Sequence, residues 1–132
     1  MSVENVELAR RAILGWDQRG IDAIVEILDP AVEWHPPRES MEPGTYRGHD
    51  GVRDYFGRLR EIFEDVRVEL IDVMAVDDDV VLAVARVVGQ SARFGPIDTE
   101  WAWLITMRNG KATHVATFID RHEARRVAKL PE

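Results

Sequence analysis

The sequence predicts an α+β domain with helices segregated to one face of an antiparallel sheet, and two observations carry that prediction. Ahead of the strands, apolar residues recur at helical spacing, at Val6, Ala9, Ile13 and Trp16 and again from Val52 to Phe63. In the last third, Ala85–Asp120, three long β-runs are apolar on both faces, with Trp101, Trp103, Ile105 and Met107 alternating with Ala102 and Leu104. An antiparallel sheet with one wet face alternates apolar with polar, so a sheet of this composition must be covered twice. The helices ahead of it supply one cover. A second copy is expected to supply the other, giving a homodimer through the outer sheet face.

The elements follow in order. Ser2 with Glu4 and Glu7 opens a first helix, which runs to about Arg19 and stops at Gly20. Ile21, Ile24, Val25 and Leu28 mark a short second helix ended by Asp29-Pro30. Ala31–His35 is a short strand, and Pro36-Pro37 leads into an irregular loop, Arg38–Gly48. His49 or Asp50 starts a third helix whose apolar face is Val52, Tyr55, Phe56, Leu59, Ile62 and Phe63. From Val66 the period is two, and the phase slips at Leu70-Ile71, which predicts a β-bulge. Asp77–Asp79 is a turn, Val80–Gly89 a nearly continuous apolar strand broken by Arg86, and Phe94-Gly95-Pro96 turns into Ile97–Met107. Asn109-Gly110 is a strong hairpin signal ahead of Ala112–Ile119, and Asp120 caps a last helix, Arg121–Ala128.

Composition narrows the function classes. The chain has 132 residues without repeats or a linker, so residues 1–132 form one domain. A net charge of -7 disfavours nucleic acid and anionic membrane as partners, since both require a basic surface. The absence of cysteine excludes disulfides, thiolate chemistry and cysteine-based zinc sites. No apolar run approaches the ~18 residues of a membrane span, and the acidic start does not read as a signal peptide; a cytoplasmic protein is expected. His35, His49, His114 and His122 lack metal-binding spacing, and Asp77–Asp79 lacks the rest of a calcium loop. No metal or cofactor is expected.

The stretches DPAVEWHP, TYRGHDGVRDYF and MRNGKATHVATFIDRHEA, in this order around the helices and strands described, resemble the nuclear transport factor 2-like superfamily, and within it the SnoaL-like group of polyketide cyclase relatives. The resemblance covers nearly the whole chain. It implies a cone: three N-terminal helices packed in a strongly curved antiparallel sheet, a short C-terminal helix, an apolar internal pocket, and dimers through the outer sheet. It also implies a small apolar or polycyclic ligand. If the chain is catalytic, the implied reaction is cofactor-independent isomerisation, cyclisation or dehydration; the alternative is a binding or dimerisation module without catalysis. The active-site sets of relatives are not reproduced. A ketosteroid isomerase-like set needs a carboxylate where His35 stands, a phenol near Ala12 and an acid near Trp103 or Leu104. An epoxide hydrolase-like set matches Arg86 but has Val88 and Thr117 where carboxylates belong.

Two catalytic candidates remain. His35 has the residue type for a neutral-pH general base, and its plainer reading is a hydrogen bond to the following loop. Arg86 interrupts an apolar strand; it either pairs across the strands with Glu100 or anchors a ligand oxygen. Trp16, Trp34, Tyr55, Trp103 and Thr117 are the candidate ligand contacts. The tryptophans, with Trp101, serve equally as pocket walls or as a dimer seam.

Overall fold

The computed structural model describes residues 2–38 and 44–130. Helix α1 (Ser2–Leu14) turns Val6, Ala9 and Ile13 to the core, and its buried Asn5 donates to the Asp78 carbonyl at 3.0 Å. The expected single first helix is broken at Gly15. A methyl group there would come within 2.9 Å of the Ala23 Cβ, so the chain bends where only glycine fits. A four-residue helix α2 (Trp16–Arg19) follows, then α3 (Ile21–Val25).

The first strand, β1 (Leu28–His35), starts earlier than the Asp29-Pro30 signal suggested. Within it, Pro30 is exposed and the pairing with the last strand is irregular between Leu28 and Glu33, so a residue without an N–H is tolerated. Part of the expected loop, residues 39–43, lies outside the described residues. Beyond it, β2 (Tyr46–Arg47) pairs with β1, and α4 (Gly48–Ile62) buries Val52 and Tyr55 completely. The remaining elements are β3 (Glu64–Ala75), β4 (Val80–Ser91), β5 (Gly95–Arg108), β6 (Lys111–Phe118) and α5 (Arg121–Ala128).

Six strands form one curved sheet in the order β2-β1-β6-β5-β4-β3. It is antiparallel except where β1 lies parallel to β6, a pairing between strands far apart in sequence that local patterns do not announce. The predicted bulge is present: Leu70 faces Ala85 and Asp72 faces Val84, leaving Ile71 without a partner and 45% exposed. The extra residue shifts the phase, so that Val68 and Leu70 face inward before it and Val73 after it. The Asn109-Gly110 turn has both residues at positive φ, 52° and 77°, the geometry that joins twisted antiparallel strands in two residues. At the sheet edge, α2 caps the unpaired side of β3: Trp16 Nε1 donates to the Val66 carbonyl at 3.1 Å, and Asp17 Oδ1 accepts from the Val68 N–H at 3.2 Å.

The inner face of the sheet meets the helices, and part of the outer face is covered by the chain's own α5. Ala124 and Leu130, on and just beyond α5, pack on the outer residues Leu82, Val84, Ala102, Leu104 and Phe118, burying the first three without a second copy. The helix is held at its start. Asp120 Oδ1 accepts from the His122 N–H at 2.8 Å, and Arg121 grips Glu100 with two hydrogen bonds. Those bonds from Arg121 hold the Glu100 carboxyl below its ordinary pKa of 4.5. A depressed carboxyl pKa contributes stability above the ordinary value and loses it as pH falls through the lowered one. In thermal melts across pH, Glu100→Gln is therefore expected to lower Tm most near neutrality, with the gap to wild type closing in acid. A gap independent of pH would contradict this role.

Candidate functional site

Between the helices and the concave face of the sheet lies a cavity of about 970 Å³. Small side chains make it. On the inner face, Trp101 is flanked by Ala85, and Trp103 by Ala83 and Thr117, while Ala9 and Ala12 of α1 present only methyl groups to the hollow. Large side chains at these positions would fill the space; alanines leave it open.

All four tryptophans of the chain border this one cavity. Trp16 meets Phe56 at a tilt, 5.5 Å between centroids, and Phe56 meets Trp34 edge-on at 5.3 Å, giving a continuous aromatic wall from α2 through α4 to β1. Trp101 and Trp103 form a second wall on β5, 6.3 Å apart. Trp16 is fixed in orientation by its bond to Val66. Leu59, Val66, Val68, Val87, Ile105 and Val115 are among the aliphatic residues that supply the remaining interior. The charged residues that border the cavity, Asp17, Arg19, Arg60, Asp65 and Asp98, are all exposed. They form its rim, and among the described residues no ionisable side chain lines its interior.

Of the sequence candidates, Trp16, Trp34 and Trp103 are brought together on the cavity wall. Tyr55 is not: it is fully buried between Tyr46 and Phe56, one helical step from the wall that Phe56 occupies. Thr117 is on the inner face beside Trp103 but is enclosed, its hydroxyl without a hydrogen-bond partner. The Trp34 indole nitrogen is likewise buried without a partner.

His35 and Arg86 do not meet. Their strands β1 and β4 are separated by β6 and β5, and neither side chain borders the cavity. With Trp34 facing inward, strand parity turns His35 outward, where Nδ1 lies 3.2 Å from the Thr45 hydroxyl and Nε2 lies 3.7 Å from Glu33. Glu33 also pairs with Arg47 at 3.2 Å. Arg86 does face Glu100 in register, but Glu100 is taken by Arg121, and the guanidinium binds Asp98 instead, with Nε to Oδ1 at 2.8 Å. The hydrogen bond from Arg86 pulls the Asp98 carboxyl below its ordinary pKa and, reciprocally, raises that of Arg86. The sequence left Trp101 open between pocket wall and dimer seam, and it did not single out Phe56 as a contact; both border the cavity. The parity that selects Trp103 also selects Trp101, whereas Tyr55 and Phe56 are separable only once the rotation of α4 is known.

A buried hydroxyl without a partner is costly, and an isosteric methyl group removes that cost. Thr117→Val is accordingly expected to leave the unfolding free energy unchanged or raise it by up to ~1 kcal/mol in equilibrium unfolding. A loss of that size would reveal a partner for the hydroxyl.

The comparisons with known proteins accord with this geometry. The fold is shared with a nuclear transport factor 2-like protein from Burkholderia thailandensis, 26% identical, covering 96% of this chain and 98% of that one with a TM-score of 0.78. It is also similar to TerC, co-crystallised with polyporic acid, at 22% identity, 96% and 98% coverage and a TM-score of 0.78. A third likeness is to a protein from Jannaschia sp. provisionally assigned as a SnoaL-like polyketide cyclase, at 19% identity, 99% and 95% coverage and a TM-score of 0.74. No curated protein matches the chain. Among the described residues, no helix is long and apolar enough to cross a membrane. The model of the SnoaL-like domain matches residues 9–115, and the chain belongs to that family.

Proposed function

We propose that this protein binds a flat, apolar molecule of polycyclic size in its internal cavity. The observation that carries the reading is the convergence of all four tryptophans on one hollow of about 970 Å³. That volume is at the upper end of small-molecule sites, roughly 300–1,000 Å³. Aromatic walls favour planar partners, because offset stacking and edge contacts add to the burial of area. The crystallisation of TerC with a small molecule in a similar fold supports the same reading by analogy.

Binding is favoured over proton transfer by the interior itself. A cofactor-independent isomerase, cyclase or dehydratase needs an acid or base within hydrogen-bond reach of the ligand. The described charged groups are confined to the rim, and a mechanism with His35 as base and Arg86 polarising an oxygen has no support in an arrangement that keeps both outside. A homodimer through the outer sheet is part of this proposal. Its surface is the half-buried strip of Leu104, Thr106, Ala116 and Phe118, which α5 covers only in part.

The direct test is titration with N-phenyl-1-naphthylamine, an uncharged dye of three aromatic rings that fluoresces in apolar sites. Saturable binding with quenching of tryptophan emission is expected. Trp103→Ala is expected to weaken it about tenfold or more, and His35→Ala and Arg86→Ala to change it less than twofold. Absence of saturable binding, or loss of binding in the His35 variant, would overturn the reading.

A further inference from the structure

We infer that α2 is the gate of the cavity, a four-residue panel hinged at two glycines and latched to the sheet edge by Trp16 and Asp17. This rests on the proposed binding role of the cavity and adds how a ligand reaches it. Every residue from Trp16 to Gly20 borders the hollow, yet none of the four residues of α2 is buried. The neighbouring helices are anchored by contrast: α1 buries Ala9, Ala12 and Ile13, and α3 buries Ala23 and Val25. An Arg53–Asp22 pair at 2.9 Å further ties α3 to α4.

The ends of the panel fit a hinge. Gly15 rests on Ala23 with no room for a side chain, a fixed pivot, and Gly20 has φ 61° and ψ −139°, a conformation open to glycine and rare for other residues. The closed position is held by three identifiable contacts. Trp16 Nε1 bonds the Val66 carbonyl, Asp17 Oδ1 bonds the Val68 N–H, and the Trp16 ring packs near Phe56. An Arg19–Glu26 pair at 2.7 Å connects the panel to the end of α3, but both side chains are more than half exposed and contribute little. Because β3 is the sheet edge, both backbone groups that the latch uses are turned away from β4. Opening the panel therefore costs the latch without breaking a strand pairing. Segments with few buried contacts open locally well before the fold does.

Asp17→Ala tests the latch. In stopped-flow mixing with N-phenyl-1-naphthylamine, the association and dissociation rates are both expected to rise about fivefold, the factor carried by a hydrogen bond of ordinary net strength. The Kd is expected to stay within twofold, since opening precedes entry and exit alike. Amide hydrogen exchange gives a second readout that needs no ligand: the Val68 N–H should exchange faster in Asp17→Ala, with the β4–β5 amides unchanged. Asp17→Asn, which keeps an acceptor, should restore much of the wild-type behaviour in both. A changed Kd at constant association rate would make Asp17 a ligand contact and overturn the gate, as would unaltered exchange at Val68. If wild type binds nothing while Val68 still responds, the latch stands and the binding proposal fails.

Discussion

The structure depends on one constraint: the apolar positions on both faces of a long, mainly antiparallel sheet have to be kept from water. On the concave side, α1 and α4 meet the requirement at the cavity's borders, with Ile13, Val52 and Tyr55 packed against Val81, Ala83 and Met107 in one core. On the convex side, α5 lays Ala124 over Leu82, Val84 and Ala102. The two covers differ in quality. The outer one packs directly on the sheet beside the Arg121–Glu100 pair, whereas the inner one leaves a hollow bordered by small residues such as Ala9, Ala12 and Ala112. The hollow is thus a consequence of residue size along otherwise ordinary apolar strands.

That arrangement also explains where charge can and cannot be. The outer face accommodates Glu69, Arg86, Asp98, Glu100 and Arg121 as ion pairs in contact with water. The inner face has no such pairs among the described residues, since a charge there would face indole and aliphatic walls without a partner. Arg86, the lone charge in an apolar strand, follows the rule by pointing outward. Its place at the middle of the strand, which suggested a buried role, reflects only that α5 does not extend over it.

Much of the fold was legible in the sequence because its signals are local. A period-two run placed β3, long apolar runs placed β4 to β6, the slip at Leu70-Ile71 located the bulge, Asn109-Gly110 placed the hairpin, and Asp120 capped α5. What escaped depends on contacts between distant segments. The parallel pairing of β1 with β6, the division of the first helix at Gly15 by Ala23, and the cover supplied by α5 are tertiary facts. The site followed the same division. Trp103 was readable from strand parity, and Trp16 from helical spacing. The facing of Trp34 against His35 and of Phe56 against Tyr55 turned on a single-residue register, which a lone sequence does not set.

Four indoles share one space. Replacing all tryptophans with 5-fluorotryptophan gives four fluorine resonances, one each for Trp16, Trp34, Trp101 and Trp103. Titration with a single flat apolar compound is predicted to shift all four, with one common midpoint. Movement of only one or two resonances, or midpoints that differ between the α2 side and the β5 side, would contradict a single shared cavity.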